Sequence, residues 1–251
     1  MKDKLLKLLK IILPIAAWLI IWEIAAHLVN NSYFLPSATE TALRLLELVI
    51  APNFFKIIFS TIFRVVLGLV LGIILGIVLA VLSHHFPFIE SFISPIMSVI
   101  KSTPVASFIV ILWVTIDGGA LAVFISILMV MPIIWQNLMD GYNSISRELI
   151  EVSEVFEFSY MKKAKLLIFP ALLKYFIPAL ITSTGLAWKS EIAAEIITYT
   201  KNSIGASISD GKYFLDTPLV FAWTLIVVVF SLLLEALTKL LLRRCNNGTK
   251  D

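Results

Sequence analysis

The chain has 251 residues, of which 59% are hydrophobic and 15% are charged, and its mean hydropathy is +0.97. This composition excludes a soluble domain around one buried core and predicts an all-α polytopic membrane protein with a single domain over residues 1–251. The formal net charge of +3 is too small to indicate a nucleic-acid partner, and the single cysteine, Cys245, excludes a disulfide framework or a cysteine-based metal site within one chain.

The N-terminal region predicts a first membrane-spanning helix. Several lysines precede an apolar run over residues 11–29. The run is too long for the core of a signal peptide, and no small-residue cleavage site follows it. Residues 30–53 are polar enough to lie outside the bilayer. Within them, Ser37 and Glu40 predict the start of a short amphipathic helix that continues to Ile50.

Three glycines recur at four-residue spacing in the predicted second span, residues 57–82. They are Gly68, Gly72 and Gly76. Small residues at this spacing let another helix approach closely. A contact within one subunit and a seam between two subunits both fit the pattern, and we favour the first. His84 and His85 then predict a tight turn, where adjacent histidines are unsuited to bind one metal ion.

Four further spans are predicted over residues 88–116, 120–139, 171–197 and 218–242. The first of these is long for one span, and we expect Pro95 and Pro104 to interrupt it, with a kink beside Pro104. Six spans place both termini on one side of the membrane. The connection at residues 198–217 is then predicted to be a loop on the other, outer side.

The connection between the fourth and fifth spans, residues 140–170, contains the longest internal stretch that is amphipathic and charged. Leu149, Val152 and Phe156 fall on one face of a predicted short helix, and Ser159 is suited to cap a second one. Two short helices at a membrane surface predict a docking element for a partner protein.

This stretch resembles the cytoplasmic loop of the permease subunits of binding-protein-dependent ABC importers. Their loop carries the pattern Glu-Ala-Ala, three residues, Gly, nine residues, Ile, one residue, Leu-Pro, and the spacing from Glu151 to Pro170 matches it. The resemblance implies that an ATP-binding subunit docks on this loop. The implied docking residues are Glu151, Val152, Ser153, Val155, Phe156, Glu157 and Pro170.

Glu157 stands where the family has glycine. Glycine lets the chain turn with positive φ between the two helices, whereas a non-glycine residue in that conformation costs roughly 1 to 2 kcal/mol. The sequence leaves two geometries open, namely a turn with positive φ at Glu157 and a helix that runs through it.

The distribution of basic residues predicts the orientation in the membrane. One side carries Lys2, Lys4, Lys7, Lys10, Arg147, Lys162, Lys163, Lys165, Lys174, Arg243, Arg244 and Lys250. The other side carries Arg44, Lys201 and Lys212. By the positive-inside rule, the docking loop and both termini are therefore cytoplasmic in a multi-pass protein of the cell membrane.

The chain lacks a phosphate-binding loop. The nearest candidate, from Gly205 to Lys212, has the wrong spacing and lies on the predicted outer side. We therefore expect the ATPase to be a separate chain. Because no catalytic constellation is apparent, we expect neither enzymatic activity nor a bound metal or cofactor.

Lys189, Glu191 and Glu195 place charges inside the fifth span, where each costs about 2.5 to 3.5 kcal/mol near the bilayer centre. On a helix, the two glutamates share a face and Lys189 points about 200° away from Glu191. A role in lining the translocation pathway and pairing within the protein fit equally well. Lys189 needs a counter-charge on another helix, on a second subunit or on the substrate.

The resemblance covers most of the chain, and the segment Leu35-Pro36-Ser37 resembles the nitrate, sulfonate and taurine branch of the family. It implies a type I importer fold and a permease homodimer around a central pathway in membrane lipid. It also implies two copies of the cytoplasmic ATP-binding subunit and an extracytoplasmic substrate-binding protein.

The implied substrate is a small solute such as nitrate, a sulfonate or taurine. A vitamin precursor of the pyrimidine or thiamine type is the alternative. An ion-coupled secondary transporter is the competing class. Such a carrier would show repeated halves with broken helices and would not need the docking loop.

Overall fold

The computed structural model describes residues 2–247, so that Lys250 and the two ends of the predicted domain 1–251 lie outside the described residues. The described chain is built from eleven α-helices. They are α1 (Lys2–Val29), α2 (Ala38–Ile50), α3 (Phe54–His85), α4 (Pro87–Ser102), α5 (Val105–Trp113), α6 (Gly118–Asn143), α7 (Arg147–Val155), α8 (Tyr160–Lys163), α9 (Phe169–Thr198), α10 (Ile204–Tyr213) and α11 (Thr217–Asn247). A π-helical turn, Ala164–Ile168, joins α8 to α9.

Among the described residues, five helical stretches are long and apolar enough to cross a membrane, and α4 with α5 forms a sixth if the bent pair is one span. The all-α polytopic fold is therefore confirmed. The two helices of the pair meet at an angle of 99°. Thr103 ends α4 in an extended conformation, which Pro104 favours for the residue before it, so the predicted kink is present. Pro95 lies inside α4 and does not interrupt it, since spanning helices tolerate proline.

The two adjacent histidines are not in a turn, and that prediction is wrong. His84 and His85 form the end of α3, and the Phe86 N–H still donates a helical hydrogen bond to the Leu82 carbonyl. The chain turns only at Phe86, because Pro87 starts α4 in the first helical position that suits proline. The His84 ring stacks on Tyr142 of α6, with ring centroids 3.9 Å apart.

The short helix α2 begins as the sequence predicts. The Ser37 side chain accepts a hydrogen bond from the Glu40 N–H at 3.0 Å, and the Glu40 carboxylate accepts one from the Ser37 N–H at 2.9 Å. This reciprocal capping box fixes the first turn of α2. Arg44, farther along α2, pairs with Asp216 just before α11 at 2.6 Å and so holds α2 against the last span.

Three long helices, α3, α6 and α9, form the centre of the bundle. The glycine ridge of α3 lies against α6 of the same chain. A Cβ atom added at Gly68 would lie 2.5 Å from the Ser126 Cβ, and one at Gly72 would lie 2.8 Å from the Val130 Cβ. Because glycine has no side chain, the backbones of α3 and α6 can approach closely at these positions.

The bundle has two ends that matter for function. Helices α7 and α8 lie at one end, here named the loop end. Helices α2 and α10 lie at the other, here named the α10 end. Helix α10 occupies the connection that the sequence suggested to be a loop, and the Ser203 side chain caps it by accepting a hydrogen bond from the Ala206 N–H at 2.9 Å.

Candidate functional site

The first candidate site is the pair of short helices at the loop end. Helix α7 ends at Val155 with Phe156 as its C-cap, and Glu157 follows with φ of 48°. The Glu157 N–H donates to the Glu154 carbonyl at 3.0 Å, and the Phe158 N–H donates to the Ser153 carbonyl at 2.9 Å. These two bonds form a Schellman motif, which places its left-handed residue at Glu157. The turn with positive φ is thus the geometry present, although the residue is not glycine.

Glu157→Gly is expected to keep or raise the stability of the protein. Glycine removes roughly 1 to 2 kcal/mol of left-handed strain, against up to about 1 kcal/mol of added entropy loss on folding. We expect the thermal unfolding midpoint in detergent to stay constant or to rise by about 2 °C. The matched control is Glu151→Gly, inside α7, which should lower stability by about 1 kcal/mol. A lower midpoint for Glu157→Gly would contradict the turn geometry.

The second short helix is joined to the first by side-chain contacts. The Ser159 side chain accepts a hydrogen bond from the Lys162 N–H at 3.4 Å and caps α8. The Lys162 ammonium lies 4.0 Å from the centre of the Phe158 ring, and the Lys163 ammonium lies 3.5 Å from the Glu154 carboxylate. The π-helical turn then leads directly into α9. The loop is therefore one ordered unit attached to a central spanning helix.

The loop end presents apolar side chains to its surroundings. Val152, Val155 and Phe156 are 48%, 80% and 69% exposed, respectively. Ser153, between them on α7, is buried against the rest of the protein. Glu151 and Pro170 are also exposed. An apolar patch of this kind outside the spans is typical of a protein-binding surface.

The second candidate site is the charged cluster in α9. Glu191 and Glu195 are fully buried, whereas Lys189 is exposed on another face of the helix. The structure thus brings the two glutamates together and leaves Lys189 apart from them, as the helical period requires. Lys189 lies nine residues before the end of α9, which is about 14 Å along the helix axis.

Arg64 of α3 is the partner that the sequence did not reveal. Its guanidinium donates to the Glu195 Oε1 atom from Nε at 3.1 Å and from Nη2 at 2.7 Å. The Arg64 Nε atom also lies 3.7 Å from the Glu191 Oε1 atom. An arginine inside an apolar span was itself a signal, because such a charge needs a partner.

Polar groups from α3, α6 and α10 complete this buried network. Thr61 of α3 donates to Glu195 at 2.9 Å, and Ser126 of α6 donates to the Glu191 Oε2 atom at 2.7 Å. The Gly205 N–H of α10 donates to the Glu195 Oε2 atom at 3.1 Å. The network therefore connects α3, α6 and α9 to the first turn of α10.

The comparisons with known proteins place these features in a family. Residues 68–247 match the family model described as the binding-protein-dependent transport system inner membrane component. The chain is 27% identical over 237 residues to the putative aliphatic sulfonates transport permease protein SsuC of Bacillus subtilis (strain 168). This alignment covers 93% of this chain and 85% of SsuC.

Among solved structures, the fold is similar to the crystal structure of an amino acid ABC transporter with histidines. The TM-score is 0.62 and the identity is 16%, and the match covers 76% of this chain and 93% of that chain. This likeness supports the fold alone. The family model, by contrast, covers most of the chain, including α6, the loop at residues 140–170 and α9. The chain therefore belongs to the family of inner-membrane permease components of binding-protein-dependent ABC importers.

Proposed function

We propose that this permease forms, as a homodimer, the translocation pathway for a small sulfonate-like anion. As a member of its family it is a multi-pass inner-membrane protein that is not itself catalytic and works with an ATPase and a binding protein. Our proposal goes beyond membership of the family in three respects, namely the copy numbers of the subunits, the orientation in the membrane and the substrate. In the proposed assembly, two ATP-binding subunits dock at the loop ends of two permease chains.

The observation that carries the proposal is the position of Lys189. An exposed ammonium near mid-membrane depth would be costly in lipid, about 2.5 to 3.5 kcal/mol on insertion scales. Thr182 and Ile196, seven residues before and after Lys189, are also exposed. A Cβ atom added at Gly185, on the same side of α9, would meet nothing within 4 Å. This face of α9 is therefore suited to border a wet pathway between two subunits.

An anionic substrate would provide a counter-charge for Lys189. Glu235 of α11, a carboxylate on the neighbouring span, is paired with Lys239. Glu191 and Glu195 belong to the Arg64 network on another face of α9 and do not compete for Lys189. In the proposed pathway, Lys189 attracts the substrate, while the two glutamates hold the surrounding helices in position.

The exposed apolar patch at the loop end supports the proposed docking site. Val152, Val155 and Phe156 would insert into the ATP-binding subunit, and Glu151, Ser153, Glu157 and Pro170 would shape the loop that carries them. Lys162 and Lys165 lie in the same loop and favour its cytoplasmic location by the positive-inside rule. With this orientation both termini are cytoplasmic, and the α10 end faces the binding protein.

The likeness to SsuC supports a sulfonate as the substrate, because that relative is described as a transport permease for aliphatic sulfonates. The test is ATP hydrolysis by the purified permease and ATPase, reconstituted in vesicles with the cognate binding protein. We expect an alkanesulfonate or taurine to stimulate hydrolysis and a pyrimidine vitamin precursor to have no effect. Stimulation by the pyrimidine alone would overturn the anion assignment and leave the membership of the family intact.

A further inference from the structure

We propose that Arg64 and Glu195 clamp the first turn of α10 onto the spans, and that Glu191 is a second acceptor for Arg64 when this clamp opens during transport. Both are positioning roles. The proposal rests on the proposed function only for the statement that the α10 end faces the binding protein. The contacts themselves all lie within one permease chain.

The clamp consists of hydrogen bonds to one carboxylate. Glu195 receives both the Arg64 fork and the Thr61 hydroxyl, and it also accepts the Gly205 N–H. Thr61 in turn accepts the Ile204 N–H at 3.1 Å. Two N–H groups at the start of α10, which have no acceptor within that helix, are thus satisfied by side chains of α3 and α9. Helix α10 cannot move away without breaking these bonds.

The contact between α10 and α9 is also close in steric terms. A Cβ atom at Gly205 would lie 2.6 Å from the Ile196 nitrogen, so that only glycine lets the two backbones approach this far. The Ser209 hydroxyl donates to the Ile196 carbonyl at 3.1 Å. Both contacts help to hold α10 in the position that its hydrogen bond to Glu195 determines.

The segment that joins α9 to α10 is held in a strained form beside a polar cavity. Tyr199 and Asn202 have φ of 50° and 53°, and the cavity of about 310 Å³ is lined in part by Tyr199, Lys201, Asn202 and Asp210. A left-handed tyrosine persists only where its surroundings impose it. Release of the clamp would let this segment relax, and the cavity at the α10 end would change shape.

Glu191 provides the second position for the arginine. Its Oε1 atom is fully buried and has no hydrogen-bond partner among the described residues, although the Arg64 Nε atom is only 3.7 Å away. A buried acceptor without a donor is unfavourable, whereas the Glu195 carboxylate is fully occupied. Glu191 lies one helical turn deeper in the membrane on the same face of α9. Arg64 can therefore exchange one carboxylate for the other by a short movement.

Two alternative arrangements of one ion pair are what a conformational switch requires. In the first arrangement, Arg64 binds Glu195 and α10 is held down. In the second, Arg64 binds Glu191, and Glu195 loses the charge that stabilises its contact with α10. The permease thereby couples the position of α10 to the packing of α3 against α9.

The test measures the exposure of α10 by chemical labelling. Cys245 is the single cysteine of the chain, and a background with Cys245→Ser allows one new cysteine to be placed at Ala206. Ala206 is buried and lines the cavity. The rate of reaction with a membrane-impermeant maleimide is measured on the permease with its ATPase, at rest and after trapping with ATP, magnesium and vanadate in the presence of the binding protein.

At rest, we expect Glu195→Gln to increase the labelling rate about tenfold, because the charge of the clamp is lost. Thr61→Val removes one donor with little change in shape and should increase the rate several-fold even if Glu195→Gln fails to assemble. Glu47→Gln is the matched control, since it removes an exposed carboxylate at the same end of the bundle. If Glu195→Gln and Thr61→Val are both labelled at the same rate as the parent, the proposed clamp is wrong.

Glu191→Gln tests the second position. We expect trapping to increase the labelling rate of the parent, because the clamp opens during transport. Glu191→Gln should leave the resting rate unchanged and abolish that increase. A full increase in this variant would overturn the exchange of Arg64 between the two glutamates. The resting rates do not depend on the substrate, so a failure of the sulfonate assignment leaves the result for the clamp intact.

Discussion

Charged replacement of two apolar residues in the docking loop is expected to detach the ATP-binding subunit from an otherwise intact permease. In the double variant Val152→Asp, Phe156→Asp, two exposed side chains of one short helix lose their apolar surface and acquire negative charge. Buried aromatic anchors at interfaces contribute about 2 to 4 kcal/mol each, so the affinity should fall by at least about a hundredfold. The measurement is co-purification of the ATPase, with binding-protein-stimulated ATP hydrolysis as the second readout.

The control for this variant is Phe214→Asp at the α10 end. Phe214 is more exposed than Val152 and Phe156 but lies at the opposite end of the bundle. This control should retain the ATPase, which would show that the loss depends on position rather than on surface charge. If the double variant retains its ATPase and transports normally, the assignment of the docking site is wrong.

The features that follow from local sequence were predicted well. The spans are long apolar runs, and the start of α2 depends on Ser37 and Glu40, which are three residues apart. The opposite directions of Lys189 and Glu191 follow from the helical period alone. At Glu157, the spacing of the loop matched the family although the residue did not, and the structure retains the left-handed turn. In each of these cases the physical cause acts within one or two helical turns.

The features that depend on distant contacts were not predicted. Arg64 and Glu195 are 131 positions apart, and no local pattern specifies that their side chains meet. The hydrogen bond from Gly205 to Glu195 likewise depends on the path of the chain after α9. Helix α10 was missed because its ten residues, IGASISDGKY, show little apolar periodicity. Its one local signal is Ser203, a residue suited to cap a helix.

Replacement of Lys189 by methionine is expected to abolish transport without disturbing assembly. Methionine keeps much of the length of the lysine side chain and removes the charge, which makes the helix cheaper to insert. If the ammonium attracts an anionic substrate, its loss should lower uptake and substrate-stimulated ATP hydrolysis by about thirty- to a hundredfold, corresponding to roughly 2 to 3 kcal/mol. Lys189→Arg should restore part of the activity, because a cation remains at the same depth.

The control is Lys174→Met, which makes the same change on the same helix near the loop end, where Lys174 is also exposed. It should leave uptake close to normal. A lysine that only supports packing would show its loss as poor expression or as a lower unfolding temperature, and arginine would not rescue it selectively. Both readouts are measured in the same membranes. Normal stimulation in a well-assembled Lys189→Met complex would exclude Lys189 from the pathway. The anionic substrate would then rest on the likeness to SsuC alone.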